Sequence, residues 1–78
     1  MSRTERIVAM LEAAQTKRRR QSAIIKQYKE SIAELAADTP DMVLSAMPVK
    51  LQNLQDAVTH MEVLLREIEV LEELANAE

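Results

Sequence analysis

A chain of 78 residues without cysteine or glycine excludes a good deal. It has no disulfide, thiolate nucleophile or sulfur-based metal site, and few turns of positive φ, hence neither hairpin-rich β structure nor a glycine-rich loop around a phosphate. The net charge of −3 is divided unevenly: residues 1–37 carry eight basic against four acidic side chains (+4), and residues 38–78 two against nine (−7).

Ala, Leu, Glu, Lys, Arg, Gln and Met dominate, and these are the strongest helix formers. Tyr28 is the only aromatic residue. The expected fold class is all-α, with residues 1–78 forming a single helical-hairpin domain. A core this small is marginal alone, so helper interactions are expected. No run approaches the roughly 20 apolar residues that span a bilayer. Arg3, Glu5, Arg6 and Glu12 interrupt the N-terminal apolar residues, unlike a signal peptide. The expectation is a cytoplasmic protein with no membrane partner.

Taken in order, Ser2-Arg3-Thr4-Glu5 has the capping-box form, and Ser2 or Thr4 caps a first helix. Ile7, Leu11, Ala14, Arg18, Gln21, Ile25, Tyr28, Ile32 and Leu35 then recur at alternating spacings of four and three. This is a heptad seam, and it predicts a helix over about 3–37. Arg18 and Gln21 are its polar members. They form either a register-fixing polar layer or a place where the seam opens and both side chains reach water. Tyr28 belongs at the seam with its hydroxyl at the edge.

Thr39 precedes Pro40 and is pushed out of helical conformation. Thr39-Pro40-Asp41 also reads as a new helix start, with Pro in the first turn. Met42, Val43, Leu44 and Met47 are too apolar for a solvated loop. The expected arrangement is a short helical turn at about 40–46, with Ser45 capping a last helix over about 47–76. The alternative is one helix from Pro40, kinked at Pro48.

In the last helix Leu51, Leu54, Val58, Met61 and Leu65 fall in an arc of about 80° at 100° per residue. One facing helix covers such a seam. Beyond Met61, Leu64, Ile68, Leu71 and Ala75 make a displaced second stripe. Val63, Val70 and Leu74 make a third, nearly opposite the first. One partner helix cannot cover all three. Met61, Val63, Leu64, Ile68, Val70, Leu71 and Leu74 are therefore the expected protein-binding residues.

Two long helices and a short connector fold back as an antiparallel hairpin. If residue 37 faces residue 48, Lys17–Arg20 face residues near 65–68. The basic half then lies along the acidic half.

Lys17-Arg18-Arg19-Arg20 is the sharpest local signal. As a functional feature it is a phosphate-binding patch. As a structural feature it answers the acidic helix, which is the preferred reading. Four consecutive residues point all round a helix, and no aromatic residue accompanies them for base stacking. His60, the one histidine, has no nucleophile, base or metal-ligand partner at a recognisable spacing. Of Met1, Met10, Met42, Met47 and Met61, Met10 and Met61 are expected in the core, although methionines also line adaptable surfaces. Nothing assembles a catalytic constellation. The expectation is no enzyme, no cofactor and no metal.

The chain therefore reads as a small interaction protein of adaptor, chaperone or inhibitor type. It self-associates or lays its C-terminal helix on another protein, with a homodimer expected. The first alternative is a dimeric hairpin that binds RNA through Lys17, Arg18, Arg19 and Arg20. A second rests on the connector. Thr39-Pro40-Asp41-Met42-Val43-Leu44, a proline followed by an apolar helix, looks like the connector in short helical-hairpin components of bacterial type III secretion systems. That likeness covers part of the connector alone.

Overall fold

The computed structural model describes residues 2–77. Two helices, α1 (Arg3–Ala36) and α2 (Pro40–Asn76), pack along each other as an antiparallel hairpin measuring 58 × 15 × 14 Å. There is no strand among the described residues.

Ser2 caps α1: its backbone is extended, and its Oγ accepts from the Glu5 N–H at 3.1 Å. At the other end the N–H groups of Ala37 and Asp38 bond back to Glu34 O and Leu35 O at 3.2 and 2.9 Å. No residue of the connector needs positive φ, as a chain without glycine requires. Thr39 is the extended N-cap of α2 and Pro40 enters its first turn. There the missing proline N–H leaves no bond unmade.

No separate turn exists at 40–46. Those residues already belong to α2, which continues unbroken through Pro48. Ser45 is inside the helix rather than at its start, and its Oγ donates to Met42 O at 3.3 Å. An internal proline removes the bond to the carbonyl four residues back, here Leu44. Pro48 is exposed, and Leu44 is 75% exposed, so the missing bond falls on the solvent side of α2.

The shorter connector changes the register. Gln21 Nε2 donates to Ala57 O at 2.8 Å. Extended at equal rise, this contact sets Ile7 level with Leu71, Ala14 with Leu64, and Leu35 with Val43. Lys17–Arg20 thus face residues near 58–61 instead of 65–68. The difference is about seven residues, one heptad, which leaves the seam in phase.

The seam of α2 also differs from the expected one. Val43, Met47, Lys50, Leu54, Ala57, Met61, Leu64, Ile68, Leu71 and Ala75 are all buried or half-buried, and they keep an unbroken alternation of four and three. Leu51 and Leu65, expected in the seam, are about half exposed. The seam turns toward Ala57 because that small side chain leaves room for Gln21. Lys50, near the connector, donates from Nζ to Ser31 Oγ and keeps its charged end hydrogen-bonded at the helix interface. Ile7, Ala14, Leu35, Ala57, Leu64 and Ile68 make the core, with Gln21 as its polar member. The layer of Arg18 and Gln21 is thereby divided: Gln21 is buried and Arg18 is exposed. No described large side chain is completely sealed from solvent, as expected of two helices with no third layer.

Candidate interaction surface

Adjacent residues of α2 have opposite fates. Leu64 is 3% exposed and Val63 is 51% exposed. Successive residues differ by about 100° around the axis, so a helix with apolar residues at both positions presents apolar surface to two sides. From Met61 onward Leu64 and Ile68 are buried against α1, and Met61 and Leu71 are half-buried there. Val63, Val70 and Leu74 face outward at 51, 46 and 38% exposure. The expected binding set is thus divided: Met61, Leu64 and Ile68 support the hairpin from inside, and Val63, Val70 and Leu74 form the outer surface with Leu71 at its edge.

These outer residues lie in an open groove of about 700 Å³, lined by Met10, Thr59, Glu62, Val63, Arg66, Glu67, Val70, Leu71 and Leu74. Five of these were not anticipated as site residues: Met10, Thr59, Glu62, Arg66 and Glu67. Met10 was expected in the core but is exposed, because its position on α1 lies to one side of the seam; it forms a wall of the groove instead. Thr59, Glu62, Arg66 and Glu67 are polar and carry no hydropathy signal. Only their positions on the wheel, within an arc of about 140° that also holds Val63, Val70 and Leu74, could have revealed them.

The basic cluster has a different setting. Arg18 and Arg19 line a smaller groove of about 390 Å³ with Ser22, Met61 and Leu65. Arg18 Nε donates to Gln15 Oε1 of its own helix at 3.0 Å. Among the described residues, none of Lys17, Arg18, Arg19 and Arg20 forms an ion pair with α2. The cluster therefore lies along α2 without a direct ion pair to it among the described residues.

His60 lines a third groove, of mixed character and about 330 Å³, with Gln21, Ile24, Tyr28, Asn53, Asp56 and Ala57. Tyr28 sits at its edge, 37% exposed. Among the described residues no group of His, Asp and Glu has the arrangement of a metal site. None of the helices is long and apolar enough to cross a membrane. Of the remaining methionines, Met42 is exposed, Met47 is half-buried, and Met1 lies outside the described residues.

In comparisons with known proteins, no family model, curated protein or solved structure matches the chain.

Proposed function

We propose that the chain is a helical protein-interaction module, and that the outer face of α2 over residues 59–74 is its binding surface. The observation that carries this reading is the exposure of Val63, Val70 and Leu74 beside Met10 in one groove. Scattered apolar residues are ordinary on a surface, but contiguous ones mark an interface.

Surface area supports the same reading. A folded monomer of 8.8 kDa has about 4,800 Å² of accessible surface by the usual scaling. This hairpin has 5869 Å². Its radius of gyration of 17.7 Å compares with about 11.5 Å for a compact chain of this length. The excess surface, about 1,000 Å², resembles the roughly 800 Å² that each partner loses in a standard interface.

The test is the triple variant Val63→Ser, Val70→Ser, Leu74→Ser. All three positions are exposed, so the helix content should survive. Assembly, read by sedimentation, or binding to a purified partner should be lost. Assembly or binding that persists in the triple variant would refute this surface.

A further inference from the structure

The other flank of α2, across the seam from Val63, is apolar too. Arg18, Arg19 and Ser22 of α1 stand there across a groove from Met61 and Leu65 of α2. Ile24 and Tyr28 lie on the opposite side of the hairpin, with Asn53 and His60. Both helices keep an alternation of three and four along the seam, so a residue seven positions away keeps its place beside it. Seven-residue steps from Leu65 reach Val58, Leu51 and Leu44. Leu44, Leu51 and Leu65 are 75, 50 and 47% exposed, and Val58 is half-buried. Together they make a second apolar stripe about 31 Å long.

The facing edge of α1 is basic. Seven-residue steps from Arg19 and Ser22 reach Lys26 and Lys29, so Arg18, Arg19, Lys26 and Lys29 line one edge over about 16 Å. All four are exposed, and among the described residues none is ion-paired. In the register set by Gln21 and Ala57 they run level with residues of about 49–60. Over that span the outer shoulder of the apolar stripe carries Gln55, which is uncharged, and Asp56 belongs to the groove on the opposite side. The acidic shoulder begins at Glu62. A positive wall thus faces an apolar, uncharged one. Its complement is an amphipathic helix with acidic residues along one edge of its apolar stripe. Such a helix repeats its side chains every seven residues, about 10 Å, which is the spacing of Leu51, Val58 and Leu65. Two helices offer no sheet edge, so an extended peptide finds no backbone to pair with. A single-stranded nucleic acid finds no aromatic ring on which to stack.

We propose that this groove is a second docking surface, separate from the Val63 face, and that its occupant is an amphipathic helix of another protein. The acidic edge of that helix lies against Arg18, Arg19, Lys26 and Lys29, and its apolar stripe covers Leu51, Val58 and Leu65. Local charge selects this partner against the net charge of the chain, which is −3. Long-range attraction draws a basic peptide to the molecule as a whole, whereas the groove favours an acidic one. Glu62 and Glu69, both exposed on the far shoulder of α2, repel a second acidic edge, which leaves the α1 side for the acidic one.

Two fluorescent helical peptides test this, each about 20 residues long, enough to span the groove at 1.5 Å per residue. They share one leucine stripe and carry either glutamate or lysine along one edge. The glutamate-edged peptide should bind the full chain about ten-fold more tightly, because several exposed pairs of modest strength act together, and the margin should shrink as salt is added. Arg19→Glu with Lys26→Glu should reverse the preference. Leu51→Ser with Leu65→Ser should abolish binding of the glutamate-edged peptide, and serine at Val63, Val70 and Leu74 should leave it unchanged, with circular dichroism confirming the fold of each variant. Equal binding of the two peptides by the wild type, or tighter binding of the lysine-edged one, overturns the proposal. Binding lost in the triple serine variant and kept in Leu51→Ser with Leu65→Ser overturns this groove and leaves the Val63 face standing. Anionic phospholipid vesicles or RNA held through Arg19 and Lys26, with the glutamate-edged peptide left unbound, overturn the class of partner. Self-association of the wild type that Leu51→Ser with Leu65→Ser removes assigns the groove to a second copy and overturns it as well.

Discussion

Replacing Gln21 with Glu changes one heavy atom of the side chain and should destabilise the hairpin far more than a polar exchange on its surface. Gln21 is 8% exposed and its Nε2 donates to the Ala57 carbonyl at 2.8 Å. A carboxylate there has no proton to donate and presents a lone pair to that oxygen. Burial and the facing carbonyl both favour its neutral form, so the introduced carboxyl titrates above the ordinary glutamate range. A rise of about two units corresponds to about 2.7 kcal/mol. Loss of the amide hydrogen bond is part of the same effect, worth about 1 kcal/mol on its own. The folded pKa is raised, so the native state binds more protons than the unfolded one between the two values. The destabilisation is complete above about pH 7 and disappears below about pH 4, where the protonated carboxyl can donate to Ala57. A domain of this size holds only about 3–5 kcal/mol, so the variant should keep no more than about 0.3–2.3 kcal/mol at neutral pH, unfold at much lower urea, and regain stability on mild acidification. Gln21→Leu is the control. Ala57 O keeps its place in the α2 ladder, no buried acceptor is orphaned, and the change should stay within about 1 kcal/mol of wild type. Urea titration followed by helical circular dichroism at pH 4 and pH 7 measures all three chains. If Gln21→Glu matches wild type at pH 7 and shows no recovery in acid, the seam is open to water at this layer and the buried hydrogen bond is not a feature of the protein.

Other outcomes follow from the same register. Leu64→Ala removes a side chain that is 3% exposed and should cost about 2–5 kcal/mol, whereas Val63→Ser, one residue away, should leave the stability of the monomer within about 0.5 kcal/mol; equal losses in dilute denaturation curves would mean that α2 is rotated from the orientation described. Arg18→Gln, Arg19→Gln and Arg20→Gln together should leave the melting temperature nearly unchanged at low and high salt, because none of the three is ion-paired to α2; a salt-dependent affinity for RNA that this variant loses would favour the nucleic-acid alternative. Pro48→Ala restores a backbone donor in an exposed helix interior and should raise stability, by up to about 3 kcal/mol, and a loss instead would indicate that the hairpin needs the local shape that proline imposes.

The helices were legible because heptad spacing survives single polar interruptions. Ile7, Ala14 and Leu35 were placed in the seam by spacing alone, and all are buried. The connector was harder. Proline at residue 48 is compatible with a first turn and with an exposed interior position, and hydropathy does not separate the two. Choosing the first moved the register by one heptad, an error that the pattern cannot reveal, since every seam residue still meets a seam residue. The α2 seam was partly hidden for a related reason. Lys50 and Ala57 occupy two of its positions, one charged and one small, so a search for large apolar residues passed to Leu51 and Val58 beside them, and from Val58 by the same spacing to Leu65.

The binding surface was legible to the extent that it is apolar. Val63, Val70 and Leu74 stand on the wheel away from any single partner stripe, and they remain exposed in the folded hairpin. Leu64 and Ile68 were grouped with them because they too exceed what the first seam accounts for, yet they are what α1 covers. The same excess arises from two causes, and only the packing of α1 separates them. What remains outside is not large: two valines, a leucine and Met10 from the other helix. A patch of this kind gives affinity without direction, because valine packs equally well in either orientation of a facing helix. What the apolar residues set is strength, so serine at Val63, Val70 and Leu74 together should remove assembly or partner binding while Leu64 and Ile68 keep the hairpin folded; assembly that survives the triple change would place the interface on another face.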